Sequence, residues 1–152
     1  KECFVEDTLA ILKEYDFPPS QLWIEITERC RDLPISMIKK TVTAFREAGI
    51  HITMDDYGTG SSSSQMMLEL PVEGIKIDMF FVKDILEEKK KQALVIGMIN
   101  FANAADLRIC IEGIENDSLE SYLRQFDVTC FQGYHYSRPI CQDELMKLLI
   151  KP

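Results

Sequence analysis

At 152 residues, 46% of them hydrophobic, the chain is long enough for one domain with its own core and needs no disulfide staples. Its formal net charge of −8, from 25 acidic and 17 basic residues, argues against a general binder of nucleic-acid polymers or anionic membrane surfaces. A small anionic ligand is compatible with that field only where a cation or a local basic group offsets it.

Helix and strand patterns alternate along the chain. Residues 6–15 place Leu9, Ile11 and Leu12 on a short amphipathic helix that FPPS ends. LWIEITE (22–28) reads as a strand with Leu22, Ile24 and Ile26 on one face. In 34–49, Ile35, Ile38, Val42 and Phe45 form a helical stripe, and Gly49 stands at the C-cap position. A second strand, 50–56, precedes a short helix through SQMMLEL that Pro71 closes, and GIKID (74–78) is the third. Residues 90–106 form a long helix with apolar residues on most sides, which predicts burial; the basic run Lys89–Lys91 at its start is expected to face water. RICIEG (108–113) is the fourth strand, and 116–126 a helix that Asp117 and Glu120 are placed to cap. TCFQGY (129–134) is the fifth strand and 141–150 the closing helix. Such alternation predicts an α/β fold of parallel βα units.

No run approaches the roughly 18 apolar residues of a membrane span, and no signal peptide is visible. The five cysteines form no CxxC pair, and Cys110 and Cys130 lie in apolar runs where buried, reduced thiols are expected. Both features point to a reducing, cytoplasmic setting, any membrane anchor being left to other domains of a parent protein.

The carboxyl ends of the strands carry the chemistry. They present Glu28, then the adjacent pair Asp55 and Asp56, then Lys76 and Asp78, then Glu112 with Glu115, and finally Gln132. In parallel α/β folds the βα loops converge at this edge and build the site. Carboxylates gathered closely repel unless a positive charge intervenes, and hard cations such as Mg²⁺ or Mn²⁺ prefer this donor set. Two such ions about 3.5–4 Å apart would clamp a phosphodiester for in-line attack by water, with Asp55 bridging both and Asp56 serving one. Lys76 admits two further readings: an ordinary ion pair with Asp78 or Glu73, or a Schiff-base lysine of a barrel lyase or aldolase. Acidic neighbours would raise its pKa and oppose imine formation. His51 and His135 stand in no HxH or HxxxE spacing and are expected to be structural, and no phosphate-cradling glycine motif is present.

IEITE (24–28), MDDYGTG (54–60), LPVEGIKIDMFFV (70–82), IEGIE (111–115) and FQGYHYSRPI (131–140), in this order, resemble the C-terminal part of an EAL domain, the bacterial cyclic di-GMP phosphodiesterase family. The resemblance implies a modified TIM barrel that binds two Mg²⁺ or Mn²⁺ ions and hydrolyses cyclic di-GMP to linear pGpG. It implies that Glu28, Asp55, Asp56 and Glu112 ligate metal. Glu112 would also be the base, and Lys76 would hold the catalytic water. Glu115, Asp78 and Gln132 would support the loops or contact substrate. GTGSSSS, with Gly58, Thr59 and Gly60, would be a mobile loop coupling metal, substrate and dimerisation. Ser61 and Ser64 depart from the aromatic and leucine usual there.

The family's first three strands, with the Glu-Ala-Leu and Asn metal ligands, have no counterpart in these residues; an eight-stranded barrel takes about 250 residues. The chain therefore reads as the C-terminal piece of a single phosphodiesterase domain, a partial barrel of about five parallel strands. An open sheet with an apolar inner face should self-associate, for instance as a homodimer, and be inactive alone. The alternative reading is a degenerate domain that senses cyclic di-GMP or pairs with another protein.

Overall fold

A computed structural model describes residues 4–27, 33–59 and 63–150. Its elements run α1 (Phe4–Glu14), a 3₁₀ turn (Pro19–Gln21), β1 (Trp23–Thr27), α2 (Ile35–Glu47), β2 (His51–Tyr57), α3 (Ser63–Glu69), β3 (Gly74–Ile77), α4 (Met79–Val82), α5 (Lys89–Ala104), β4 (Arg108–Ile111), α6 (Asp117–Leu123), β5 (Cys130–Phe131) and α7 (Gln142–Leu149). The five strands form one parallel sheet in the order β1-β2-β3-β4-β5, as the alternation predicts.

Helices feed strands through a repeated turn. After α2, the Gly49 N–H donates to Arg46 O and the Ile50 N–H to Phe45 O, with Gly49 at φ +85°, which is the left-handed Schellman closure. The same pair of bonds follows α1 at Asp16 (φ +49°) and α5 at Asp106 (φ +54°). At the latter two an aspartate occupies the left-handed position that glycine usually takes, a residue type that tolerates it.

Parity then divides the sheet. Ile24, Ile26, Ile52, Met54, Ile75, Ile77, Ile109 and Ile111 point to the helix-covered face, and seven of the eight are at most 8% exposed, Ile24 being half-buried. Val42 and Phe45 of α2, and Val95, Ile99 and Ala102 of α5, complete that core. α5 buries only this one stripe, the i, i+4, i+7 set, and leaves Leu94 and Phe101 exposed, so it is less enclosed than its composition suggests. Of the basic run at its start, Lys91 lies over the Phe80 ring and donates to Lys83 O (2.6 Å).

The opposite face corrects a second expectation. It carries Trp23, Glu25, Thr27, His51, Thr53, Asp55, Lys76, Arg108, Cys110 and Cys130, as the registers Glu25↔Thr53, Thr53↔Gly74, Lys76↔Cys110 and Cys110↔Cys130 require. It is polar and charged, not apolar, because period-two alternation reserves the isoleucines for the helices. Cys110 is half-buried and Cys130 exposed, so only the first approaches the expected buried thiol. Asn116, not Asp117, caps α6, accepting from the Leu119 N–H at 2.9 Å; Asp117 and Glu120 instead lie within the first turn. The fifth strand is confined to two residues, although the Gln132 N–H still reaches Ile111 O at 2.9 Å.

Candidate metal and catalytic site

The polar face converges on Lys76. Its Nζ lies 2.7 Å from Glu112 Oε1, 2.9 Å from Glu25 Oε1 and 3.2 Å from Asp55 Oδ1. Four consecutive strands thus contribute to one ion cluster: β1 gives Glu25, β2 Asp55, β3 Lys76, and Glu112 follows β4 directly. The lysine is 8% exposed. Burial by itself would lower its pKa, but hydrogen bonds to Glu112 and Glu25, the Glu112 charge and the nearby Asp55 carboxylate outweigh that, and the net shift is upward. A lysine held as ammonium is a poor imine former, so the aldolase reading loses its chemical basis.

β2 carries an irregularity that accounts for adjacent carboxylates. Its register with β3 shifts between Met54 and Tyr57, and Asp56 adopts φ +55°. Met54 and Tyr57 both pair toward the helix side, so the two intervening aspartates share the space of one residue, as at a β-bulge. Asp55 turns into the Lys76 cluster while Asp56 sits in the left-handed turn at the strand mouth. Gly58 follows at φ +93°, and Thr59 bonds back to Asp56 O through its N–H (3.1 Å) and hydroxyl (2.9 Å).

Asp55 Oδ1 is the informative atom. It is buried, and although Lys76 Nζ is close it accepts no well-directed hydrogen bond among the described residues. A buried carboxylate oxygen in that condition is costly. Glu25, Asp55 and Glu112 each turn a carboxylate oxygen to the same ammonium, and carboxylate oxygen is the donor type that hard divalent cations such as Mg²⁺ or Mn²⁺ prefer, so the chemistry of the residues present fits such an ion.

The expected site residues divide as follows. Asp55, Lys76 and Glu112 are brought together, with Asp56 beside them on the bulge. Asp78 is not part of the cluster contacts: its carboxylate accepts from the Phe80 N–H at 2.7 Å and caps α4. Glu115 is exposed on the loop after β4, and Gln132 is exposed just beyond β5, two residues from Cys130 on the polar face. Glu28, Gly60 and Ser61 lie outside the described residues. Lys76 pairs with neither Asp78 nor Glu73; Glu73 instead holds Arg46 (2.5 Å) and His51 (2.6 Å) at the other end of β3, and His51 stacks on Trp23, a structural role.

Glu25 is the residue the strand-end reasoning passed over. Its signal is parity: between Ile24 and Ile26, which turn to the helices, it must point to the opposite face.

Known proteins agree with this architecture. The cyclic di-GMP phosphodiesterase PA2567 of Pseudomonas aeruginosa is 30% identical over 142 residues, 93% of this chain and 24% of that protein. The crystal structure of the EAL domain of Mycobacterium smegmatis DcpA superposes with a TM-score of 0.93 at 31% identity, covering 98% of this chain and 67% of that one. The Klebsiella pneumoniae BlrP1 manganese/cy-diGMP complex gives a TM-score of 0.82 at 28% identity, covering 89% and 34%. The chain spans about a fifth of the length of the curated relatives it matches. No helix among the described residues is long and apolar enough to cross a membrane. Residues 1–139 match the EAL domain, and with the parallel βα sheet and its carboxylate-ringed lysine the chain belongs to the EAL domain family.

Proposed function

We propose that the domain to which this chain belongs hydrolyses cyclic di-GMP to its linear dinucleotide, using Mg²⁺ or Mn²⁺. The observation that carries this reading is Lys76 Nζ within 2.7–3.2 Å of three carboxylates, from β1, from β2 and from the residue after β4, one of whose oxygens lacks a directed hydrogen bond among the described residues. Relatives and neighbours named as cyclic di-GMP phosphodiesterases or as complexes with that dinucleotide support the substrate.

Glu25, Asp55, Asp56 and Glu112 would hold the cations, together with Glu28 as the motif resemblance implies. When bound, the cations supply charge neutralisation for the phosphate and a more acidic water. The chain's own groups do the rest. Glu112, facing Lys76, accepts the proton of the attacking water as the new P–O bond forms and the P–O3′ bond breaks, the proton passing to the leaving alkoxide. Lys76, kept cationic, donates to that water or to the phosphoryl oxygens and stabilises charge that grows toward the transition state. Gln132 would contact substrate from the end of β5, and Glu115 would steady the loop that begins at Gly58 and Thr59. Asp78 would contribute indirectly, by fixing α4 behind Lys76.

The test is turnover of cyclic di-GMP by a chain carrying the complete domain. Mn²⁺-dependent hydrolysis abolished by Glu112→Gln, with dinucleotide binding retained, is the expected result. Tight binding without hydrolysis in the unaltered domain would instead make it a receptor, the reading that Ser61 and Ser64 in the loop favour.

A further inference from the structure

A second group of metal-ligating side chains lies apart from Lys76. Asp117 and Glu120, one turn apart at the start of α6, meet His135 from the turn after β5, and a ligand atom of each lies within 4.8 Å of the others. His135 Nε2 is 3.0 Å from Glu120 Oε2 and 3.5 Å from Asp117 Oδ1. Glu120 Oε1 is taken by the Arg124 guanidinium (Nε at 2.8 Å), Oε2 faces the imidazole, and the Tyr136 hydroxyl also bonds this carboxylate.

Both sides of this meeting are anchored by backbone. Asn116 fixes the first turn of α6. The Ile114 N–H donates to Gln132 O and the His135 N–H to Ile114 O, each at 3.0 Å, so the turn after β5 is laced to the residues that lead into α6. A Cβ at position 133 would fall 2.0 Å from Ile114 O, so only glycine permits that approach. Sequence spacing conceals the result, because the imidazole and the carboxylates come from different βα units.

Donor atoms sharing an ion at about 2.0–2.2 Å with near-tetrahedral angles stand about 3.2–3.6 Å apart. The His135–Asp117 separation of 3.5 Å falls in that range, and the His135–Glu120 separation of 3.0 Å is slightly shorter, so Glu120 would draw back by a few tenths of an ångström to admit an ion. An imidazole with two carboxylates is a borderline donor set, suited to zinc and its neighbours and unlike the all-oxygen set around Lys76.

We propose that Asp117, Glu120 and His135 form a site for a divalent transition ion of the zinc class, with its remaining position open to water. The ion takes Nε2 of the Nδ1–H tautomer; where the imidazole is protonated, the Nε2 proton leaves to solvent. Binding there ties the turn that bears Gln132 to α6.

The chain has two histidines, so ¹⁵N imidazole spectra assign directly with one variant. Zinc chloride added to metal-free chain should displace the His135 Nε2 resonance saturably at one equivalent and leave His51 in place. Asp117→Asn and Glu120→Gln should each weaken that response about tenfold or more, since even outer partners of a metal ligand are worth about 10–100-fold. An excess of Mg²⁺, which favours the oxygen-only cluster, should not compete. A His135 signal unmoved by millimolar zinc would overturn the proposal, as would equal zinc uptake by His135→Asn. Should His135→Asn fail to fold, the two carboxylate variants decide: an unchanged zinc response in both overturns the site.

Discussion

Lys76 on β3 and Glu112 directly after the adjacent β4 hold Nζ and Oε1 2.7 Å apart, closer than any other carboxylate among the described residues comes to that ammonium. The pair is mostly enclosed, with side-chain exposures of 10% and 18%. Lys76→Met removes the charge that lets Asp55 and Glu112 face each other. We expect about 3 kcal/mol of lost stability, the scale for breaking an enclosed ion pair from one side. Millimolar Mn²⁺ should recover more of the stability in this variant than it adds to the unaltered chain, because the cation takes the place of the ammonium. Urea unfolding with and without Mn²⁺ measures both; a variant as stable as the parent and indifferent to Mn²⁺ would contradict the cluster's assignment.

Glu25 should matter to metal where its neighbour in sequence logic, Glu73, should not. Glu25→Gln removes one charge from the donor set and is expected to weaken Mn²⁺ binding about tenfold, since affinity follows ligand charge count. Glu73→Gln breaks the ties to Arg46 and His51 at the far end of β3 and should leave Mn²⁺ affinity unchanged. Calorimetric titration distinguishes them, and equal effects would place the ions elsewhere.

Two glycines should respond with opposite sign to alanine. Gly133→Ala drives a methyl into the Ile114 backbone, where no side chain can yield, and should cost about 3 kcal/mol. Gly97, exposed within α5, has nothing within 4 Å of an added Cβ. Gly97→Ala should therefore stabilise the chain by about 0.5–1 kcal/mol through helix propensity alone. Thermal unfolding of both variants checks the pair.

The in-register thiols should differ in reactivity. Burial, then the hydrogen bond and charge of Cys130, push Cys110 up to about 12 from an ordinary value of 9.0. At pH 8, iodoacetamide should label the exposed Cys130 and Cys141 well ahead of Cys110, read by peptide mass mapping. The sign of the linked pH effect follows. Below about 9 the thiol is protonated in folded and unfolded chain alike, and its contribution is fully present. Between about 9 and 12 only the unfolded chain releases the proton, so stability falls as pH rises. Cys110→Ala should flatten that alkaline slope; a slope unchanged by the substitution would assign it to other groups.

Most elements were legible in the residues because each is written locally. Helical stripes, β-branched runs and capping glycines state their own geometry, and the left-handed Gly49 at the end of α2 is one example. The departures came where two local signals competed. Asn116 and Asp117 can both cap a helix, and only the path of the chain out of β4 selects the first. The apolar composition of α5 reads as all-round burial, yet one stripe touches the sheet.

By itself the sequence determined the parallel βα architecture, the family and the acidic strand mouths, since periodicity and motif order are properties of the chain read in one dimension. Tertiary structure alone decided which carboxylates meet at Lys76. Glu25 enters and Asp78 leaves because strand parity and register, together with the bulge at Asp56, set where side chains meet. The meeting of His135 with α6 was decided the same way, by a backbone contact between two βα units that no spacing within either one encodes.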